Sequence, residues 1–424
     1  MSATNEESQS ASKSPAGEEA QPTAMAGTGG AVTVPGRRTL RDYFRGDLGF
    51  VPVLVTLAII VVVFQILTNG DFLLARNISN LSDQIVTVGT VGIAAMLVLL
   101  LGEIDLSLAV VSQACGAIMA VLLVRQGLPA PVAILCAVLA GALIGFINGL
   151  FIAVLRIPSF IVTLAGSIAY AGVLLLVLQP QTTLQIRDRG ILDINATHYQ
   201  DPVMGYAVPL IGVVIYAAAL FYNRTRRVRA GLKVGSIGGL VVRIVILTVV
   251  IAGAIAIFQA NEFNGGIPQS FFIWICLIII FYLVLTQTAF GRHVYAVGGN
   301  AEASRRAGIN VVGLRIAIFS LASALAAVGG ILQVSRGTGA DSQINPTLLL
   351  NAIAAAVVGG VSLFGGRGSV WAVVLGAIII GGLENGLNLL GQGQEIREIV
   401  EGLVLVLAVT VDAIIRRANA VQGR

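Results

Sequence analysis

The sequence predicts an all-α, polytopic transmembrane helical bundle of about 12 spans with no soluble domain, and three observations predict it. Of 424 residues, 56% are hydrophobic and only 11% charged, against roughly 25% charged in an ordinary soluble domain. Mean hydropathy is +0.91. Apolar runs of membrane-spanning length recur from residue 50 to 415 with short polar breaks and no second compositional regime, so one membrane domain is the simplest count.

Taken in chain order, residues 1–36 form a Ser/Ala/Glu/Thr/Gly/Pro tract with Glu6, Glu7, Glu18 and Glu19. It is too polar to bury a core, so residues 1–46 are expected to be a disordered tail. The tract lacks the basic start and apolar middle of a secretory signal, which leaves insertion to the first span. A spanning helix needs about 20 mostly apolar residues at a 1.5 Å rise. That rule marks 50–68, 84–101, 108–124, 131–155, 159–178 and 206–222, then 241–258, 271–286, 313–333, 348–363, 370–388 and 397–415. The membrane domain is thus expected over 47–417, with a C-terminal tail at 418–424.

Charge sets the orientation, because Lys and Arg concentrate in cytoplasmic breaks. With the N-terminus inside, 20 of the 26 Lys and Arg fall on the inner face, in Lys13, the group at Arg37 to Arg45, Arg156, the run from Arg224 to Arg243, Arg292 to Arg315, Arg367 and the C-terminal arginines. Only Arg76, Arg125, Arg187, Arg189, Arg336 and Arg397 fall outside. Both termini are therefore expected in the cytoplasm. The net charge of +5 sits in these breaks and not among exposed aromatics, which argues against nucleic-acid binding. Cys115, Cys136 and Cys276 all lie in apolar runs and read as small hydrophobes, so neither a disulfide nor a metal site is expected.

An internal repeat is also expected. Asn148-Gly149-Leu150 and Asn385-Gly386-Leu387 lie 237 residues apart, in stretches that match over Ile144 to Leu150 and Gly381 to Leu387. The first copy runs outside to inside and the second inside to outside. Inverted repeats of this kind place a pathway at their interface. Asn148 and Asn385 are candidate pathway residues on that ground, or packing residues whose adjacent glycines allow close helix approach.

No nucleotide site is present: a phosphate loop ends in Gly-Lys-Ser/Thr, and the only lysines are Lys13 and Lys233. If ATP powers this protein, another subunit hydrolyses it. The alternative engine is an ion gradient, making the chain a secondary transporter, with Glu103, Asp105, Glu384, Glu401 and Asp412 as candidate carboxylates. Both histidines, His198 and His293, fall in loops. Most of these groups stand at span ends, where water or a headgroup is within reach.

The inner loop at 288–312 carries the densest local signals. Asn300 is an N-cap, Glu302 suits the positive first turn, Arg305 and Arg306 suit the last turn, and Gly308 suits the left-handed closing position. A short capped helix flanked by Gly298 and Gly299 is expected, shaped to dock on another protein. Its Gly291-Arg-His-Val-Tyr-Ala-Val-Gly-Gly-Asn300 and Ala307-Gly-Ile-Asn-Val311 resemble the coupling segment of permease subunits in ribose- and xylose-type ABC importers. Gly102-Glu-Ile-Asp-Leu-Ser107 and Pro158-Ser-Phe-Ile-Val-Thr163 resemble two further stretches of that family, in the right order. Gly102 is expected to end the second span, Asp105 to cap the third, and Ser107 to satisfy freed backbone groups.

The resemblance implies a permease homodimer in the bacterial inner membrane, importing a monosaccharide. ATP and Mg would be bound by an ATPase subunit docked on Gly291, Arg292, Tyr295, Gly298, Gly299, Asn300, Glu302, Arg305, Arg306 and Gly308. A periplasmic or lipid-anchored sugar-binding protein would deliver substrate, and no covalent chemistry or cofactor is implied in this chain. Asp105, Ser107, Asn148, Phe160 and Asn385 are the candidate pathway residues, with Phe160 and Tyr170 either touching sugar or packing on lipid. The pair of spans around the basic loop 223–235 favours xylose over ribose within the family.

Overall fold

The computed structural model describes residues 51–199, 202–231, 234, 236–261 and 265–421. The tail expected at 1–46, Lys233, the side chain of Asp412 and the last residues, 422–424, lie outside the described residues.

The apolar runs form helices in the expected order. They are α1 (Val51–Leu67), α2 (Ala75–Leu100), α3 (Leu108–Val124), α4 (Ala130–Ala153), α5 (Ser159–Leu178), α6 (Arg189–Ala196), α7 (Pro202–Arg229) and α8 (Ile237–Gln259). Then follow α9 (Gln269–Gln287), α10 (Ala289–Gly299), α11 (Ala301–Arg306), α12 (Val311–Gly337), α13 (Pro346–Val358), α14 (Val370–Leu389) and α15 (Gln394–Val421). Seven of these are long and apolar enough to cross a membrane, and α1, α3 and α13 contain shorter apolar stretches.

Local chemistry sets the boundaries. Side chains of Ser236, Thr288, Asn300, Asn310, Asn345 and Ser369 each accept a hydrogen bond from the backbone N–H three residues on, at the starts of α8, α10, α11, α12, α13 and α14. Those N–H groups have no partner within the helix itself. The guanidinium of Arg125 donates to the carbonyls of Val177 and Gln179, filling acceptors at the end of α5.

Three expectations are corrected. The second span begins at Ala75 and not at 84; hydropathy falls there, yet the polar side chains find partners, as when Asn77 donates to the Phe72 carbonyl at 2.9 Å. The tenth is shorter than 348–363 because Gly359 and Gly360 stop α13 after Val358. The C-terminal tail is helical through Val421. An unforeseen helix, α6, buries Ile191 and Ile194 and holds Ser335 of α12 through the Ile191 carbonyl at 2.6 Å.

Helix α2 is the axis of the bundle: 89% of its apolar window is buried, against 6% for α8, which stands at the periphery beside α7. Helix α12 packs along α4, α3 and α2, while α2 packs along α14 and α13. Breaks expected on one face meet each other. Residues 183–185 pair with 339–341 and 198–199 with 267–268 in short antiparallel ribbons, while the breaks at 102–107, 298–299 and 365–368 meet at the other end.

Close approach depends on missing side chains. A Cβ at Gly145 of α4 would sit 2.1 Å from the Phe319 carbonyl oxygen on α12, and one at Gly376 of α14 would sit 1.7 Å from that of Ala355 on α13. Gly145→Ala is expected to destabilise the folded chain by about 1–3 kcal/mol through overpacking, read as earlier loss of monodispersity on heating in detergent. Gly172→Ala, where the Cβ meets nothing within 4 Å, serves as control. Equal melting of the two variants would remove the close approach as a determinant of the fold.

Candidate functional site

The expected capped helix forms at α11. Asn300 accepts from the Ala303 N–H at 2.9 Å, and Gly308 closes the turn at a φ of 88°. Arg305 and Arg306 bind Glu302 at 2.6 and 3.2 Å. The hydrogen bond from Arg305, then its charge, holds the Glu302 carboxyl below its ordinary range. All three side chains are exposed while Ser304 is buried, so α11 turns a charged face away from the bundle. Before it runs α10, which the sequence reading did not foresee as a helix. There Gly291 presses on the Leu285 backbone, Tyr295 donates its hydroxyl to the Gly368 carbonyl at 2.9 Å, and Arg292 is exposed.

Gly298, Gly299, Gly102, Gly365 and Gly366 cross at the end of α2. A Cβ at Gly298 would sit 1.8 Å from the Leu100 carbonyl oxygen and 2.7 Å from the Gly366 nitrogen. The Gly366 N–H donates to that same Leu100 carbonyl at 2.9 Å, supplying a partner that the helix end lacks. Gly102 at a φ of 75° turns the chain out of α2, and Gly366 at 71° lies against Gly299. Three backbones therefore touch with no side chain between them.

From this crossing the 102–107 segment leads inward. Glu103 pairs with Arg315 of α12 at 3.1 Å, with both side chains largely shielded. The Ile104 and Leu106 N–H groups donate to Ser159 and Thr163 of α5 at 3.2 and 3.0 Å. Asp105 does not take the expected capping position, which falls to Ser107; one of its oxygens accepts from both the Ser107 N–H and hydroxyl, at 2.8 and 2.6 Å. Ser107 is the N-cap residue of α3 yet makes no side-chain cap; its oxygen instead accepts from Asn148 at 3.3 Å. Asn148 in turn accepts from the Tyr170 hydroxyl at 2.7 Å. The three family-like segments thus converge, and Asp105, Ser107 and Asn148 form one buried network.

Asn385 belongs to a different network. It accepts from Asn77 at 2.8 Å and donates to Gln84 at 3.3 Å, both on α2. Asn77 and Gln84 stand seven residues apart, two turns along one face of α2, and that spacing is the signal that points to these partners. The Asn-Gly contacts also differ: Gly149 meets the Ile316 backbone, whereas Gly386 meets the Phe64 ring. Phe160 joins neither network and stands 52% exposed on α5. Among the described residues, no three of His, Cys, Asp or Glu cluster in a way that could hold a metal.

Known proteins similar to this chain are membrane permeases. The family model described as branched-chain amino acid transport system / permease component matches residues 77–409. The xylose transport system permease protein of Haemophilus influenzae is 35% identical over 359 residues, 85% of this chain and 94% of that one. The ribose import permease protein of Bacillus subtilis is 30% identical over 88% of this chain and 95% of its own length. The fructose import permease protein of Rhizobium meliloti is 28% identical over 90% and 89%. No solved structure matches. With a family model covering most of its length and relatives aligned nearly end to end, the chain belongs to this family of ABC-transporter permease components, multi-pass proteins of the membrane.

Proposed function

We propose that this chain is the translocating subunit of an ATP-driven monosaccharide importer, with xylose as the favoured sugar and ATP hydrolysed by a separate subunit. The observation that carries this reading is the glycine crossing: an exposed, charged helix, α11, follows directly on a backbone contact with the end of the central helix. An ATPase seated on α10 and α11 would move α2 without slack. The sugar assignment is supported by relatives named as xylose, fructose and ribose permeases that align along most of the chain. The partners in this reading are two ATPase subunits, a sugar-binding protein and a second copy of the permease.

The same reading includes twelve spans, both termini in the cytoplasm and an inverted repeat. It is supported by the reciprocal packing of α4 on α12 and α14 on α2, and of α3 on α4 and α13 on α14. Sorting of the polar breaks into two sets that each meet their own members supports spans that alternate between two faces. In this arrangement Glu103 and Arg315 pass displacement from the crossing to α12, and Ser107 and Asn148 pass it to α4.

Reconstituted with its ATPase and binding protein in liposomes, the chain should take up xylose only with ATP. Ion-driven uptake by the chain alone would overturn the proposal in favour of a secondary transporter. Gly308→Pro, which cannot take a positive φ, and the double reversal Arg305→Glu with Arg306→Glu should each leave ATPase turnover uncoupled from uptake; normal coupling in both would remove the docking role. Glu103→Arg and Arg315→Glu should each cut uptake, and their combination should restore part of it, with a coupling of about 1–3 kcal/mol in the double-mutant cycle. Additive losses would show that the pair transmits nothing.

A further inference from the structure

A second polar site lies at the opposite end of α2. Gln84 and Thr87 of that helix line a cavity of about 570 Å³, whose other walls come from α12, the start of α13, α14 and α15. Gln84 and Leu100 are separated by about 24 Å along the helix, so the cavity and the glycine crossing occupy opposite ends of the bundle. Its volume falls within the usual range for small-molecule sites, about 300–1,000 Å³.

Its chemistry is specific. Glu401 of α15 is only 7% exposed, lines the cavity, and has a buried Oε2 with no hydrogen-bond partner. Gln333 of α12 likewise carries a buried Oε1 without one. Buried acceptors left unpaired are costly, and two of them on residues that line one cavity call for donors from a ligand. The lining also carries donors: Asn351 is bonded to Glu401 itself, Arg397 to the Gly393 carbonyl and Asn388, and Arg336 adds a second guanidinium. Carboxylates on the same wall oppose an anion, while the two guanidiniums oppose a bare cation. A neutral molecule whose groups both donate and accept satisfies the mixture, and a sugar hydroxyl is such a group. The wall is also held in register with the bundle, because Gln84 accepts from Asn385, which is fixed by Asn77.

We propose that this cavity is the entry subsite for the transported sugar, a neutral monosaccharide held by hydroxyl donation to Glu401 and Gln333; this rests on the importer reading above. With no aromatic side chain in its lining, the site lacks a stacking surface. It is therefore a weak, transient holding site of about millimolar affinity, which suits passage better than retention.

Saturation-transfer NMR on the full-length chain in detergent tests this, with D-xylose, D-ribose and D-fructose as probes. At least one sugar should give transfer with wild-type protein. Glu401→Gln and Gln333→Leu should each weaken it about tenfold, and Thr347→Trp, which fills the cavity, should abolish it. Arg224→Gln, on the far side of the molecule in α7, should leave it intact. No transfer from any of the three sugars, or transfer unchanged in Glu401→Gln, Gln333→Leu and Thr347→Trp alike, overturns the subsite. So does protection of the cavity by sodium or calcium chloride in place of sugar. The importer reading is judged separately, by ATP-dependent uptake of the reconstituted wild-type complex: uptake without sugar transfer sinks the subsite alone, and absent uptake sinks the reading beneath it.

Discussion

Backbone-to-backbone contact through glycine is the interaction on which the rest of this bundle depends. Lipid tails are as apolar as leucine, so burying more leucine between spans gains little; helices in a bilayer hold together by close packing and by hydrogen bonds between them. Gly145 against Phe319, Gly376 against Ala355 and Gly330 against Ser112 each bring one helix onto the carbonyl of another. With those distances set, α4 must follow α12, and α14 must follow α13. The central position of α2 results from the helices that close around it.

The polar groups obey the complementary constraint. A break in a helix exposes backbone donors that have no water to turn to. The 102–107 segment meets this demand with Ser159, Thr163 and Asp105. Those residues are spread over two of the segments that resemble the permease family, which explains why the two resemblances occur together. Asn77, Gln84 and Asn385 form a second, separate set at the other end of α2. Polar residues in the spans of this protein thus work as joints between helices, and each end leaves acceptors over, Asp105 Oδ2 at one and Gln333 Oε1 with Glu401 Oε2 at the other.

Most of the spans were legible because composition alone dictates them. Helix α11 was legible because Asn300, Glu302, Arg305, Arg306 and Gly308 all give the same local instruction, and no distant contact contradicts it. The start of α2 was not, since Asn77 and Asp83 read as loop residues until Asn385 and Ser270 are known to lie beside them. In the sequence Gly298 reads only as a flank of the short helix and part of a docking loop. A glycine that loosens a chain and a glycine that admits a neighbour look alike in one dimension; only the position of Leu100 in space tells them apart. Glu103 and Arg315 were both noted, one as an ionisable residue and one as a topology charge, and their pairing depends on tertiary structure alone.

The crossing of Gly298 with Leu100 and Gly366 also bears on how such a protein tolerates change. Side chains between two moving parts act as cushions, since their rotamers absorb part of any displacement. Here that layer is missing, so the parts behave like meshed gear teeth with no play. Random substitution would therefore fall hardest on positions with no functional groups at all. The residues most essential to conveying work through this molecule would be recognised by their refusal of a single added methyl, while the charged residues around them drift.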